Sequence, residues 1–281
     1  MSRHLAVLGS PIEHSKSPAI HNAAYRTLQL NWDYSRVEVS SNHLMQFIEN
    51  LDGDWLGLSL TMPLKEEACR IANEKTDLVE STGVANTLLR TTAGWRAYNT
   101  DVFGIQRALA SVSVEQVKHI CIIGSGATAT SAVFAVSQIF PTASIRVIAR
   151  NADSAKKLKN RALQNGIKIL VSPFSKIRSK TSKSDLTIST VPAGALDSRL
   201  ASLKGWRFKP KGTLLDVAYD PWPSPLAAIW QSKGARIING VEMLLWQAIA
   251  QIRIFDHSDM NVELPNERAV ELAMRHELNL L

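Results

Sequence analysis

Ile120-Cys121-Ile122-Ile123-Gly124-Ser125-Gly126-Ala127-Thr128-Ala129 is the stretch that decides the fold. Four apolar residues run into a G-x-G-x-x-A loop, and a run of small and apolar residues follows. The pattern is strand, turn, helix. The glycines permit a tight turn and close backbone approach, and the N–H groups opening the helix can hold a pyrophosphate. Small side chains at 127 and 129 let helix and strand pack closely. The same turn also closes sheets that bind nothing, so its surroundings have to discriminate.

Outward from the loop, short apolar runs alternate with amphipathic stretches. After it, strands are predicted at Ser144 to Ala149, Ile167 to Val171, Leu186 to Ser189, Leu214 to Val217 and Arg236 to Ile238. Helices are predicted near 127–139, 152–164 and 224–233. Before it, strands are predicted at His4 to Gly9, Tyr34 to Val39, Gly57 to Thr61, Ala85 to Leu89 and Trp95 to Asn99. A helix over Ser17 to Leu30 opens on Ser17-Pro18, the order of an N-cap followed by a first-turn proline, and further helices are predicted near 42–51 and 65–75. Alternation of this kind predicts an α/β protein with parallel sheets and crossover helices. The chain has 281 residues, more than one hydrophobic core usually serves, so two domains are expected. One joint is placed near Asp101, ahead of the polar stretch Ser111 to Lys118. The other is placed near Gly240, where helical pattern replaces alternation.

The net charge is +7, but it is unevenly spread. Between Thr142 and Ser184, 11 Lys or Arg face a single acid, Asp153, and the remainder of the chain is slightly acidic. A basic segment suits an anionic partner such as a phosphate-bearing small molecule, a nucleic acid or a membrane surface. The two cysteines, Cys69 and Cys121, are too few for a disulfide framework and lack metal-ligand spacing. They are read as core filler in a reducing cytoplasm, and no metal is expected. No apolar run approaches the ~18 residues of a membrane helix, and the start is too short for a secretory signal.

The cofactor type is read at the next strand. An NAD-binding domain usually offers an acid to the ribose some twenty residues past the first glycine. Here Ile145-Arg-Val-Ile-Ala ends in Ala149-Arg150-Asn151 instead. The fork of donors on Arg150 suits a 2′-phosphate and therefore NADP. Asp153 is the competing group, since a shifted turn would aim it at the ribose.

The first domain carries polar residues that packing alone does not require. Ser15 and Ser17 stand just ahead of a helix start, where hydroxyl and N–H groups suit a carboxylate or a polyol, although Ser17 by itself would serve as a cap. Thr61-Met-Pro-Leu-Lys65 follows a strand end and puts a lysine in a first helical turn, which without more would be solvated surface. Asn86 and the run Tyr98-Asn99-Thr100-Asp101 add amide, hydroxyl and carboxylate groups at further strand ends, where α/β proteins bind ligands.

Taken together the chain resembles the shikimate dehydrogenase family over nearly its whole length. Eight motifs carry the likeness, in order. They are Gly9-Ser-Pro-Ile-Glu-His-Ser15-Lys-Ser17-Pro, Thr61-Met-Pro-Leu-Lys65, Ala85-Asn86-Thr, Asn99-Thr-Asp101, Gly124-Ser-Gly126, Ser189-Thr190-Val-Pro, Asp216-Val-Ala218-Tyr219-Asp-Pro-Trp-Pro-Ser-Pro-Leu and Gly240-Val-Glu-Met243-Leu-Leu-Trp-Gln247-Ala. The resemblance implies a substrate-binding and catalytic domain built from residues 1–101 and 240–281. It implies a Rossmann-type, doubly wound NADP domain over 102–239. The implied activity is NADPH-dependent reduction of 3-dehydroshikimate to shikimate, in the chorismate route of aromatic amino-acid biosynthesis. Implied site residues are Ser15 and Ser17 on the substrate carboxylate, Thr61, Asn86, Tyr219 and Gln247 around its ring, and Lys65 with Asp101 as the catalytic pair. The loop Gly124, Ser125, Gly126, Ala127 and Thr128 would hold the pyrophosphate and Arg150 the 2′-phosphate, with Thr190, Ala218, Gly240 and Met243 near the nicotinamide. Ser59 stands where a common family pattern has Asn, and a shorter hydroxyl there would reach substrate less directly.

Two other functions compete. One is an NAD-dependent quinate/shikimate dehydrogenase, against which the serines at 15 and 17 count. The other is a nucleotide-sensing or nucleic-acid-binding protein using Lys156, Lys157, Lys159, Lys176, Lys180 and Lys183. Only Phe174 interleaves them, a poor stacking platform, and no DNA-binding motif is present. The expected partner is thus a small molecule, with neither nucleic acid nor membrane, and a homodimer is left open.

Overall fold

The computed structural model describes residues 2–111, 117–192, 194–196, 200–205 and 208–280, so residues 112–116 of the predicted polar stretch lie outside the described part. Two compact units result, Met1–Gly104 with Leu244–Leu281, and Ile105–Met243.

In chain order the first stretch forms β1 (Arg3–Gly9), α1 (Ser17–Thr27), β2 (Trp32–Glu38), α2 (Leu44–Glu49), β3 (Trp55–Leu60), α3 (Lys65–Ile71), β4 (Glu74–Lys75), α4 (Asp77–Thr82), β5 (Thr87–Thr91), β6 (Gly94–Tyr98) and α5 (Asp101–Ala110). The sheet order is β2-β1-β3-β5-β6-β4. β1 is parallel to β2 and β3, but β5 runs antiparallel to both β3 and β6. Parallel pairing predicted from alternation is therefore corrected here. Only two residues separate Thr91 from Gly94, enough for a hairpin and too few for a crossover. The sheet buries Leu8, Leu58, Leu60 and Leu88 against Leu64 and Ala68 of the third loop and helix.

The second stretch forms β7 (His119–Ile123), α6 (Ala127–Ile139), β8 (Ser144–Ala149), α7 (Ala152–Gln164), β9 (Ile169–Pro173), α8 (Ile177–Thr181), β10 (Leu186–Ser189), α9 (Ala201–Lys204), β11 (Thr213–Asp216), α10 (Pro225–Ser232) and β12 (Ile237–Asn239). Its sheet is wholly parallel in the order β12-β11-β10-β7-β8-β9. With β7 as first strand this is the 3-2-1-4-5-6 doubly wound order, and the winding reverses between β7 and β10. Ile120, Cys121, Ile122 and Ile123 are all buried, as expected of a parallel strand covered on both faces.

Two helices close the chain, α11 (Gly240–His257) and α12 (Glu267–Glu277). α12 lies on α1, where Arg26 meets Glu277 at 3.1 Å. Among the described residues, no helix is long and apolar enough to cross a membrane.

Candidate active site

The mixed pairing of the first sheet gathers polar residues at one edge. Because β5 is antiparallel to its neighbours, its start lies beside the ends of β3 and β6. Asn86 immediately precedes β5, Lys65 opens α3 just past β3, and Asp101 opens α5 just past β6. Backbone bonds lock this corner. Leu60 N donates to Asn86 O (2.8 Å), Asn86 N to Tyr98 O (3.1 Å) and Ala85 N to Lys65 O (2.9 Å).

Lys65 Nζ donates to Asp101 Oδ2 at 2.6 Å, with the lysine side chain 12% and the aspartate 3% exposed. An ion pair this far from water is far less screened than a surface one. The other carboxylate oxygen, Asp101 Oδ1, accepts Asn86 Nδ2 at 2.9 Å. Asn86 Nδ2 also reaches Gln247 Oε1 on α11 at 3.3 Å. Lys65, Asp101, Asn86 and Gln247, singled out from the sequence, are thus brought together. Thr61 lies half-buried in the turn between β3 and α3, its N–H donating to Leu8 O (2.9 Å).

The first turn of α1 departs from its prediction. Ser17 is not the N-cap but the first helical residue, Lys16 occupies the cap position, and no side chain caps the helix there. Ser15 Oγ accepts the Ser17 N–H at 3.3 Å, so Ser15 bridges the turn while Ser17 is buried. One turn on, His21 is fully buried, stacked on Tyr34 with ring centroids 3.9 Å apart, and its Nδ1 lies 3.2 Å from the Tyr25 hydroxyl. Burial drives its pKa from 6.5 down to about 3, opposed in part by Gln251, so the ring is neutral at ordinary pH.

Sequence reasoning missed Gln251, and it placed Thr87 and Thr100 in motifs without giving either a role of its own. Gln251 Oε1 accepts the Ser59 hydroxyl at 3.0 Å, which commits Ser59 to the protein interior. No local signal sets Gln251 apart, because α11 also carries Glu242, Gln247, Arg253, Asp256 and His257.

In the second unit the ends of the two strands flanking the winding reversal carry Gly124 and Thr190, while Ala218 follows β11 and Gly240 follows β12. Gly124 has φ +120°, and a Cβ there would collide with Thr190 Oγ1, which donates to Ile123 O at 2.9 Å. The turn therefore tolerates only glycine. Gly240 lies against the Val217 carbonyl so closely that a Cβ would overlap backbone. Met243 is buried. Gly126 is the N-cap of α6 and is exposed, with Ala127 and Thr128 half-buried behind it. Ser125 Oγ meets Ser154 Oγ at 2.6 Å, and the Asn151 side chain accepts the Ser154 N–H at 3.0 Å to cap α7. Arg150 and Asp153 both stand exposed beside that cap.

Asp216, at the tip of β11, opens one of the quoted motifs but had no predicted role. Ser224 donates to it, Ala218 N reaches it at 3.4 Å, and burial pushes its carboxyl pKa up against those bonds. Tyr219 is half-buried in the loop that follows. Phe174, the single aromatic among the lysines, is buried in the core and offers no stacking surface. Among the described residues no His, Cys, Asp and Glu cluster could hold a metal ion.

A lysine–carboxylate pair among amides and hydroxyls, in a chain that also carries a glycine-turn Rossmann sheet, defines the two-domain α/β dehydrogenases as a class. Comparison with known proteins narrows it. Residues 7–88 match the model of the shikimate dehydrogenase substrate binding domain. The shikimate dehydrogenase (NADP(+)) of Leptospira interrogans is 32% identical over 262 residues, covering 92% of this chain and 90% of the relative. The crystal structure of Mycobacterium tuberculosis shikimate dehydrogenase superposes with TM-score 0.82 at 37% identity, covering 98% of this chain and 99% of that one. A Thermus thermophilus shikimate 5-dehydrogenase solved with NADP(H) and shikimate shares the fold, with TM-score 0.77 at 24% identity and coverage of 98% and 99%. The chain belongs to the shikimate dehydrogenase family.

Proposed function

We propose that the protein is an NADP-dependent shikimate dehydrogenase, reversibly reducing 3-dehydroshikimate to shikimate. The observation that carries this is the buried Lys65–Asp101 pair, 2.6 Å apart and anchored by Asn86. When bound, NADPH supplies the hydride that turns the 3-keto carbon into an alcohol carbon. Reduction leaves an alkoxide on the substrate, and the Lys65 ammonium gives it a proton, taking one back in the reverse direction. Asp101 holds the lysine in place and balances its charge. Asn86, Gln247, Thr61 and Tyr219 are read as hydrogen-bonding partners of the ring hydroxyls. Ser15 and Ser17 are read as the carboxylate ligands, at a helix start where N–H groups favour an anion.

The residues of the second unit fit the cofactor. The Gly124 cradle has room only because no Cβ fills it, and Gly126 exposes the helix start to a pyrophosphate. Arg150, exposed at the end of β8, suits the 2′-phosphate. Cytoplasmic location belongs to this reading as well, and sedimentation analysis decides between a monomer and a homodimer.

Steady-state rates with shikimate and quinate, each against NADP and NAD, test the assignment. Shikimate with NADP is expected to give the highest kcat/KM, and quinate with NAD doing so would overturn it. Lys65→Ala is expected to lower kcat by roughly 10²–10⁴ without unfolding the protein. An unchanged kcat would remove Lys65 from the chemistry.

A further inference from the structure

We propose that Thr87 and Gln251 are positioning residues for the Lys65–Asp101 pair, acting through the Asn86 carboxamide along a one-way chain of buried hydrogen bonds. The inference rests on the reading of that pair as the proton-transfer group.

The direction of the chain is dictated by two backbone groups. The Thr100 N–H can only donate, and it donates to Asn86 Oδ1 at 2.8 Å. The amide nitrogen must then face the other way, toward Asp101 Oδ1 at 2.9 Å and Thr100 Oγ1 at 2.9 Å. The Asn86 carbonyl can only accept, and Gln251 Nε2 donates to it at 3.1 Å. This fixes the Gln251 amide as well. Its Oε1 faces Ser59, whose hydroxyl must be the donor at 3.0 Å. Gln251 Nε2 also donates to Thr87 Oγ1 at 2.9 Å. Thr87 has one hydroxyl proton, and with its oxygen engaged by Gln251 that proton goes to Asn86 Oδ1 at 2.9 Å. Donation thus runs from Ser59 through Gln251, Thr87 and Asn86 to Asp101 Oδ1, while Lys65 donates to the other oxygen, Oδ2.

Ser59, Asn86, Thr87, Thr100, Asp101 and Gln251 are each at most 4% exposed. Water therefore cannot replace a lost partner, and each misdirected amide would leave an unpaired polar atom. A flipped Asn86 would set its oxygen against Asp101 Oδ1 and its amino group against the Thr100 N–H. Thr87 and Gln251 oppose that flip, so they hold the donor that orients the Asp101 carboxylate. Their own hydrogen bonds go to Asn86, Ser59 and each other, so they act on the pair at one remove.

Thr87→Val tests this by replacing the hydroxyl with a methyl of similar shape. The expected result is a fall in kcat of about tenfold, the scale of one lost buried hydrogen bond, with KM for NADP unchanged. Thr87→Ser should return kcat to within about twofold, which a merely structural role would not require, since serine removes packing and restores only the hydroxyl. Gln251→Met should show a similar fall, and the double variant Thr87→Val with Gln251→Met should be no worse than about either alone, because both break one link. Wild-type kcat in Thr87→Val, or losses that multiply in the double variant, would overturn the proposal. If Thr87→Val fails to fold, Gln251→Met alone decides by the same criterion. Lys65→Ala run in parallel separates the two levels. An active Lys65→Ala would sink the reading of the pair. An inactive Lys65→Ala beside fully active Thr87→Val and Gln251→Met would sink only the positioning role.

Discussion

One separable part of the first unit's loss of stability in acid should come from His21. Its pKa lies at about 3 in the fold against 6.5 for an unperturbed histidine. The unfolded chain therefore takes up a proton that the native state refuses, and stability falls as pH drops from about 6.5 toward 3. Above that window neither state is protonated, and below it both are, so the loss stops growing. At pH 4 the mismatch amounts to about 2.5 pH units, or roughly 3 kcal/mol. His21→Phe keeps a ring to stack on Tyr34 and abolishes the titration. The assay is urea unfolding of both proteins at pH 7 and pH 4, followed by tryptophan fluorescence. Carboxylates elsewhere weaken both proteins alike, so the difference between the two pH-induced losses isolates position 21. With a urea slope of about 1–3 kcal/mol/M, the natural protein's midpoint should drop by roughly 1–3 M more than the variant's. Equal drops would refute the idea that burial keeps His21 neutral.

Three further outcomes are expected. Arg150→Ala should raise KM for NADPH by roughly 10–100-fold, the scale of a lost charge-assisted contact, and leave NADH use nearly untouched; parallel losses with both cofactors would make Arg150 structural. Gly240→Ala should lower the Tm by several degrees, since its Cβ overlaps the Val217 carbonyl and overpacking costs about 1–3 kcal/mol; an unchanged melting curve would contradict the close approach. Cys121, whose thiol burial pushes up to about 12, should resist iodoacetamide at pH 8 in the native protein and react in urea, as counted by mass spectrometry; native labelling there would show the strand is not closed.

Local grammar made the second unit legible and left half of the first unit's site hidden. Helices over Ala127–Ile139 and Ala152–Gln164 begin and end where the alternation predicts, because glycine turns, caps and small residues act within a few positions. Lys65 and Asp101 stood out for their motifs, but nothing local revealed that they would meet. That depends on β5 running antiparallel, which carries Asn86 to the edge shared with the ends of β3 and β6. The turn that reverses the chain, Thr92-Ala93, lacks the Asn-Gly or Asp-Gly signal of a strong hairpin, so the reversal passed unread. The cap falls one position earlier than predicted, on Lys16, so Ser17 becomes a buried helical residue whose N–H is held by Ser15. Gln251 was invisible for a different reason. Its partner Ser59 lies 192 residues away, and only tertiary structure joins them.

The first unit is assembled from both ends of the chain, and this imposes an order in time. A ribosome moving at about 5–20 residues per second needs roughly seven to thirty seconds to cross Ile105–Met243 before it reaches Leu244–Leu281. Through that interval β1 to β6 exist, yet Asn86 lacks both glutamines, Ser59 lacks its acceptor and α1 lacks the helix it lies on. The younger unit already holds all six of its strands and is free to close first. The half of the protein that is made earliest is therefore finished last.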